Sequence, residues 1–372
     1  LTETIDIIVS GHLCLDLIPA MESVSLEALP TPGRLFEVGP ITIGTGGAVS
    51  NTGLALHRLG ADVRLLAAVG DDLLGQLIIA ALRERDPRLA EYTTIAKGEP
   101  SSYSVVLSPA RSDRIFLHCA GANSTFGVAS IDFDLLAPAR IFHLGYPPIL
   151  PRTIANDGQE LAIILQEAKR AGPVTSLDMA LPDPDGPSGK VNWPRILERS
   201  LPHVDIFLPS IEEIMFMLRR TDFDNWGGNL AAHLNMSYLG RLADELLDMG
   251  AAIAGFKLGE LGFYVKAAPA DRIAQLDRLN LDAAAWGGST LWSPVYRVDV
   301  VSTVGAGDSA YAGFLAALLG GMGPAQAINW ACAVGACNVE AADATSGVQS
   351  WEATQQRMHD GWERSNQQLT GA

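Results

Sequence analysis

The run Val300-Val-Ser-Thr-Val-Gly-Ala-Gly-Asp308 carries the clearest chemistry in the chain. β-Branched residues lead into Gly305, Ala306 and Gly307, and an apolar helical stretch begins near Asp308. Glycines at such a junction let backbone N–H groups face outward at a helix N-terminus, which makes an anion site. A carboxylate is out of place there, because it repels a bound phosphate. Two readings account for it. Asp308 takes the proton from a hydroxyl that attacks the phosphate, or it caps the helix. The first is preferred here.

A second loop, Gly44-Thr-Gly-Gly-Ala-Val-Ser-Asn51, resembles a dinucleotide fingerprint only superficially. That pattern requires Gly or Ala at position 49, where Val49 stands. Gly46 and Gly47 instead suit close backbone approach to a small polar ligand. The Asn51 amide can donate and accept on the same ligand, or be satisfied locally within a helix. Gly189-Lys190 is followed by Val191, so no P-loop is present. The seven histidines form no HxxxH or HExxH, and the four cysteines (Cys14, Cys119, Cys332, Cys337) form no CxxC. Neither zinc binding nor a disulfide scaffold is expected, and the cysteines read as small buried residues in a reducing cytosol.

These loops need a rigid frame, and the alternation of apolar runs supplies one. Strands are expected at 5–11, 63–69, 140–144, 173–178, 204–208, 251–257 and 262–266, with a last core strand entering Gly305. Helices are expected at 50–59, 73–85, 158–171, 193–200, 210–219 and 238–249, and two more across 309–339. The pattern predicts an α/β fold, an αβα sandwich around a parallel sheet covered on both faces. Strands at 34–38, 41–43, 102–107 and 115–118 do not fit that layer. The last two flank Ser108-Pro-Ala-Arg-Ser-Asp113, a hairpin signal. Residues 19–43 and 101–123 therefore read as a small β-sheet lid at the ligand edge. Residues 1–18, 44–100 and 124–372 form the main nucleotide- and substrate-binding domain, with 268–297 an irregular insertion.

Composition limits the partners. The 372 residues carry 42 acidic and 26 basic side chains, a net charge of −16, which argues against nucleic acid. With 48% hydrophobic and 18% charged residues, a disordered chain is excluded. No charge occurs across 309–339, but Gly320, Gly321, Gly323 and Pro324 split that stretch into pieces too short for a bilayer. Residues 1–6 lack a basic and an apolar region, so no signal peptide is expected. A cytoplasmic protein without a membrane partner is the expectation.

Gly46-Gly47 with Asn51, then Arg58-Leu-Gly60 and Val69-Gly-Asp-Asp72 with Gly75, resemble the first signature of the ribokinase-like (PfkB) carbohydrate kinases. Thr303-Val-Gly-Ala-Gly-Asp308 with Gly313 and Phe314 is similar to the second. The resemblance runs from about residue 6 to 350. It implies a Rossmann-like αβα domain with a small lid, Asp308 as catalytic base, and Gly305, Ala306 and Gly307 as the anion hole. Asp16, Gly46, Gly47 and Asn51 match positions that hold sugar hydroxyls. Lys257-Leu-Gly-Glu-Leu-Gly262 resembles the nucleotide-side turn, which assigns Lys257, Gly259 and Gly262 to the nucleotide. Otherwise Lys257 is a snorkelling surface lysine.

The implied activity is ATP-dependent transfer to a hydroxyl, by preference a primary CH2OH, of a small sugar or sugar-like alcohol. Mg²⁺ is implied too, with Glu213 of Ser210-Ile-Glu-Glu213 acting on it through water. The chain departs from the family pattern in four places. Ser302 replaces an Asp, which puts the monovalent-cation (K⁺) site in doubt, although Ser346 resembles a later residue of the cation loop. Ser210 replaces an Asn, Cys14 stands at a frequent Asn, and Gly145 falls where a pocket Glu is usual. Two alternatives follow: a nucleoside acceptor stacked on Tyr146, Phe116 or Phe126, or a sugar-binding homologue without turnover. Exposed edges on the lid sheet imply a homodimer.

Overall fold

The computed structural model describes residues 4–21, 24, 25, 27, 31–109 and 115–371. In chain order the strands are β1 (Ile5–Gly11), β2 (Cys14–Pro19), β3 (Ile41–Gly46), β4 (Val63–Gly70), β5 (Thr93–Ala96), β6 (Tyr103–Leu107), β7 (Ile115–Cys119), β8 (Ala139–Gly145), β9 (Val174–Asp178), β10 (Ile206–Phe207), β11 (Ile253–Lys257), β12 (Phe263–Ala267) and β13 (Thr290–Ser293). The helices are α1 (Gly47–Arg58), α2 (Leu73–Arg85), α3 (Pro151–Ala171), α4 (Trp193–Ser200), α5 (Ile211–Leu218), α6 (Arg220–Trp226), α7 (Met236–Asp248), α8 (Ala270–Ile273), α9 (Ala283–Trp286), α10 (Ala306–Leu319), α11 (Pro324–Val339) and α12 (Trp351–His359).

Nine strands form one sheet in the order β13-β12-β11-β10-β9-β8-β1-β4-β5. The strands from β11 to β5 run parallel, while β12 and β13 are antiparallel additions at one edge. Its central strands are buried on both faces and accordingly read as unbroken apolar runs. Ile7 and Val9 of β1 face one core, shared with residues of α1, α10 and α11. Ile8 faces the other, shared with α3, α4, α5 and α7. This is the expected αβα sandwich. A second sheet of four strands, β3-β2-β6-β7, stands beside it.

Helices α10 and α11 occupy the uncharged stretch that mimicked a membrane span. They are 14 and 16 residues long, and among the described residues no helix is long and apolar enough to cross a membrane. Their small residues allow close packing: the Gly313 backbone approaches the Trp330 carbonyl so nearly that a Cβ would not fit.

Several expectations need correction. No strand forms at 34–38. The second strand of the small sheet is instead β2, hidden in the sequence because it follows β1 after only two residues. The β-branched stretch before Gly305 is not a sheet strand. The N–H groups of Val301 and Ser302 both donate to the Val339 carbonyl at the end of α11 (2.8 and 3.1 Å), and Val300 and Val301 are exposed. The edge strand comes from within 268–297, as β13 paired with β12, and the same segment carries α8 and α9. The helix expected at 158–171 continues an earlier turn from Pro151, broken by non-helical torsions at 155–158. The hairpin formed by β6 and β7 is present, with 110–114 of its expected turn outside the described residues. Strand β5 and helices α6, α8, α9 and α12 are additions to the expected pattern.

Candidate active site

The site gathers at the C-terminal ends of the parallel strands, where helix N-termini and open strand ends converge. Gly305 enters α10 at φ +72°, and a Cβ there would strike the Ala344 backbone. Only glycine fits that turn without strain. The Ser309 N–H returns to the Gly305 carbonyl (2.8 Å) and the Ala306 N–H to Thr303 (3.2 Å). The Gly307 and Asp308 amides lie in the first helical turn, where no intrahelical acceptor exists. Asn338 Nδ2 fixes the approach to this turn by donating to the Val304 carbonyl (2.8 Å).

Asp308 is 3% exposed. Asn51 Nδ2, on α1, donates to its Oδ2 (2.9 Å). The Tyr146 hydroxyl donates to both carboxylate oxygens (2.7 and 2.8 Å). Burial pushes the Asp308 carboxyl up, while Lys257, Tyr146 and Asn51 hold it down. Asp308 makes no capping contact, which removes the helix-cap reading: the N-cap position is Gly305 and carries no side-chain cap.

Asp16 projects from β2 toward Gly46 of β3, close enough that a Cβ at Gly46 would collide with its carboxylate. Cys14 donates its S–H to Asp16 Oδ1 (3.4 Å) and lies 3.8 Å from Ser104 Oγ, which in turn meets His118 Nδ1 (3.1 Å). His118 Nε2 is 3.4 Å from His12 Nε2. Burial holds His12 down to about 3 and also lowers His118, so both rings are neutral near pH 7. Gly47, at φ +85°, packs on His12. Gly145 faces Ala48 with no room for a side chain, which accounts for the missing pocket carboxylate.

On the other side of Asp308 lies a cavity of about 610 Å³. Lys257, Gly259, Gly262, Glu213, Gly305, Ala306 and Gly307 line it, over an apolar floor that includes Ala331, Cys332 and Ala336. Lys257 is buried and not a surface lysine. Its Nζ donates to Asp178 Oδ1 at 2.6 Å, and a Cβ on Gly307 would stand 3.6 Å from it. Asp178 is fully buried, and its carboxyl is pushed up to about 6 against the pull of Lys257. Glu213 and Ser210 cap α5 reciprocally: the Ser210 N–H donates to Glu213 Oε2 (2.6 Å), and the Glu213 N–H donates to Ser210 Oγ (3.2 Å). Burial first, then Asp178, raises Glu213 to about 8. Residues Ser365 and Gln367, beyond α12, also reach this cavity.

Asp308 and Asn51 thus meet directly. Asp16, Gly46 and Gly47 lie on the small-sheet side, and Lys257, Gly259, Gly262 and Glu213 on the cavity side. Of the three aromatic candidates, Phe126 is wholly inside the core and unavailable for stacking, Phe116 is exposed on β7, and Tyr146 is engaged by Asp308. Sequence reasoning missed Asp178 and His12, and it gave Tyr146 a different part. The available signal was position: both Asp178 and Tyr146 stand at the C-terminal end of a core strand.

The profile of the pfkB family carbohydrate kinase matches residues 4–351. The 2-dehydro-3-deoxygluconokinase of Bacillus subtilis (strain 168) is 24% identical over 351 residues, covering 91% of this chain and 94% of its own. A ribokinase of Arabidopsis thaliana complexed with ribose and ATP superposes with a TM-score of 0.71 at 17% identity, over 95% of this chain and 98% of the other. A fructokinase of Xylella fastidiosa with bound ATP gives 0.70 at 16%, over 95% and 98%. At such identities the solved structures establish the ribokinase-like fold. The family follows from the profile, which spans nearly the whole sequence and both glycine loops. This chain belongs to the pfkB family of carbohydrate kinases.

Proposed function

We propose that this protein transfers the γ-phosphoryl group of ATP to a hydroxyl, by preference a primary CH2OH, of a small sugar or sugar-like alcohol. The observation that carries the reading is Asp308: a buried carboxylate at a helix N-terminus, between a nucleotide-sized cavity and a polar pocket under the small sheet. ATP in the solved ribokinase and fructokinase supports the donor. The residues fit it. Lys257 and the first-turn residues of α10, Ala306, Gly307 and Asp308, line the cavity, and a helix N-terminus beside a lysine suits an anionic phosphate.

Asp308 accepts the acceptor's proton as the alcohol oxygen attacks the γ-phosphorus and the bond to ADP breaks. The Gly307 and Asp308 amides stabilise charge on the transferring group. Lys257 keeps Asp178 ionised and places a cation on the wall of the cavity. Mg²⁺ accompanies nucleotide phosphates and keeps several of its waters, so it needs few protein ligands. Glu213 would hold such an ion through water, and the ion would supply neutralisation of the phosphate charge.

The acceptor is a neutral polyol in this reading. Among the described residues, Cys14, Ser104, His12, His118, Tyr146 and Asp308 stand around Asp16 and Asn51, and burial keeps both histidines uncharged. A sugar acid would find no cation among these described residues. We further propose that the small sheet, with Ile41, Ile43, Phe116 and Leu117 exposed on its edge strands β3 and β7, covers the pocket as a lid and pairs with a second copy. Sedimentation of wild type and Ile43→Lys tests the pairing.

ADP release over a panel of pentoses, hexoses, sugar acids and nucleosides tests the main reading. Turnover with neutral sugars is expected. Preference for a nucleoside or a sugar acid would refute the acceptor assignment, and failure with every class would favour a binding protein.

A further inference from the structure

Tyr146 occupies a backbone region that tyrosine rarely visits. Its φ and ψ are 67° and 46°, and among the described residues the other non-glycine positions with positive φ hold Asn or Asp. Those residues tolerate the left-handed region through their short polar side chains. A tyrosine there is strained and persists only where its surroundings enforce it. The surroundings are explicit. Its N–H donates to the Asp178 carbonyl (3.2 Å), Pro147 and Pro148 follow it, and its hydroxyl bridges both oxygens of Asp308.

Nothing in phosphoryl transfer asks for a phenol at that place. A general base works through a lone pair aimed at the acceptor's proton, and here the Tyr146 proton occupies it. Asn51 already donates to Oδ2, and the phenol lies 2.7 and 2.8 Å from the two oxygens, so an acceptor hydroxyl approaching Oδ1 competes with it. We propose that the Tyr146 hydroxyl is a stand-in for the acceptor's reacting hydroxyl: it fills Asp308 until an acceptor displaces it, and so keeps water from the base. This inference rests on Asp308 being the base.

The consequence concerns wasted ATP. A water beside an open Asp308 would give up its proton to the carboxylate as its oxygen attacks the γ-phosphorus. The bond to ADP would break, and phosphate would be released. Excluding water from a closed site prevents this in general. Here the exclusion would come from one side chain, before any acceptor arrives.

The test compares wild type, Tyr146→Phe and Tyr146→Gly with Mg-ATP, without and with the best acceptor. Phe keeps the ring and removes the hydroxyl. Gly takes the left-handed backbone without strain, so it stands in if the Phe variant folds poorly. Acceptor-free ATP hydrolysis should rise about tenfold or more and the acceptor KM should fall about threefold, with kcat changed far less. Unchanged hydrolysis and KM in a folded variant that still phosphorylates the acceptor would show that Tyr146 is a structural tether and overturn the proposal. Asp308→Asn run in parallel separates the two claims. Acceptor phosphorylation at the wild-type rate in that variant removes the base, and this inference with it.

Discussion

Lys257 Nζ lies 2.6 Å from Asp178 Oδ1, joining the ends of β11 and β9 beneath the cavity, and Asp178 has no exposed surface at all. An ion pair so deeply buried adds little net stability, but removing one member strands the other. Lys257→Met should cost about 3–5 kcal/mol at pH 8. The loss should shrink at pH 5, where a carboxyl already raised to about 6 takes a proton. Denaturant titrations at both pH values measure this. Equal losses at the two would mean that the lysine acts only through packing.

Asp308→Asn is nearly isosteric and leaves Asn51 and Tyr146 in place. It should keep its melting temperature and lower kcat by about 10²–10⁴-fold, the usual scale for a general base. Activity within about threefold of wild type would remove the residue from the chemistry.

Asp16 and Asn51 should separate in their kinetics. Asp16 touches the pocket but not Asp308, so Asp16→Ala should raise the acceptor KM by the equivalent of about 1–3 kcal/mol with kcat nearly unchanged. Asn51 also donates to Asp308, so Asn51→Ala should lower kcat as well. A change confined to the KM for ATP in either variant would reverse the assignment of the two halves of the site.

Between about pH 6.5 and 8.5 stability should fall as pH rises. Glu213, raised to about 8, keeps its proton in the folded chain over a range where the unfolded chain has released it. The folded state therefore binds more protons, and its advantage drains away as pH passes the folded value. Below pH 6.5 His12 and His143, both lowered to about 3, oppose this by drawing protons to the unfolded chain. Glu213→Gln should flatten the decline on the alkaline side. A wild-type melting temperature that holds steady from pH 6.5 to 8.5 would contradict it.

Potassium should matter little. The Ser302 hydroxyl accepts the Val304 N–H (3.2 Å), and Arg58 Nη1 donates to the carbonyls of Thr345, Ser346 and Val348 (3.0, 2.7 and 3.1 Å). Carbonyls already held by a guanidinium compensate poorly for the water that a K⁺ ion must shed. Rates in sodium, potassium and tetramethylammonium salts at matched ionic strength should agree within about twofold. Activation by K⁺ of about tenfold or more would show that these oxygens can be released.

The glycine loops were legible because their chemistry is local: Gly305 serves one turn, and Gly46 admits the Asp16 carboxylate. The alternation of strands and helices revealed the sandwich because buried parallel strands must be apolar throughout. What escaped was set at long range. Asp178 and Tyr146 gain their meaning from Lys257 and Asp308, respectively 79 and 162 residues away. The β-branched stretch before Gly305 has the composition of a strand, but its Val301 and Ser302 N–H groups are claimed by α11, while β13 arises from only four residues between glycines and a proline. Pairing partners decide such cases, and a single stretch of sequence does not name its partners.

Two of the chain links between the small sheet and the large one have almost no slack. Two residues separate β1 from β2, and none separates β3 from α1. The flanking glycines, Gly11 (φ +118°) and Gly47 (φ +85°), are the flexible points on those two links. The sheet therefore cannot swing out like a door on a long strap. A rocking about the line through Gly11 and Gly47 would tilt Asp16 and His118 relative to the large sheet, with the Asn51–Asp308 bond left undisturbed. Spin-label distances from the large sheet should then change most at the far end of β7 and hardly at all at Cys14.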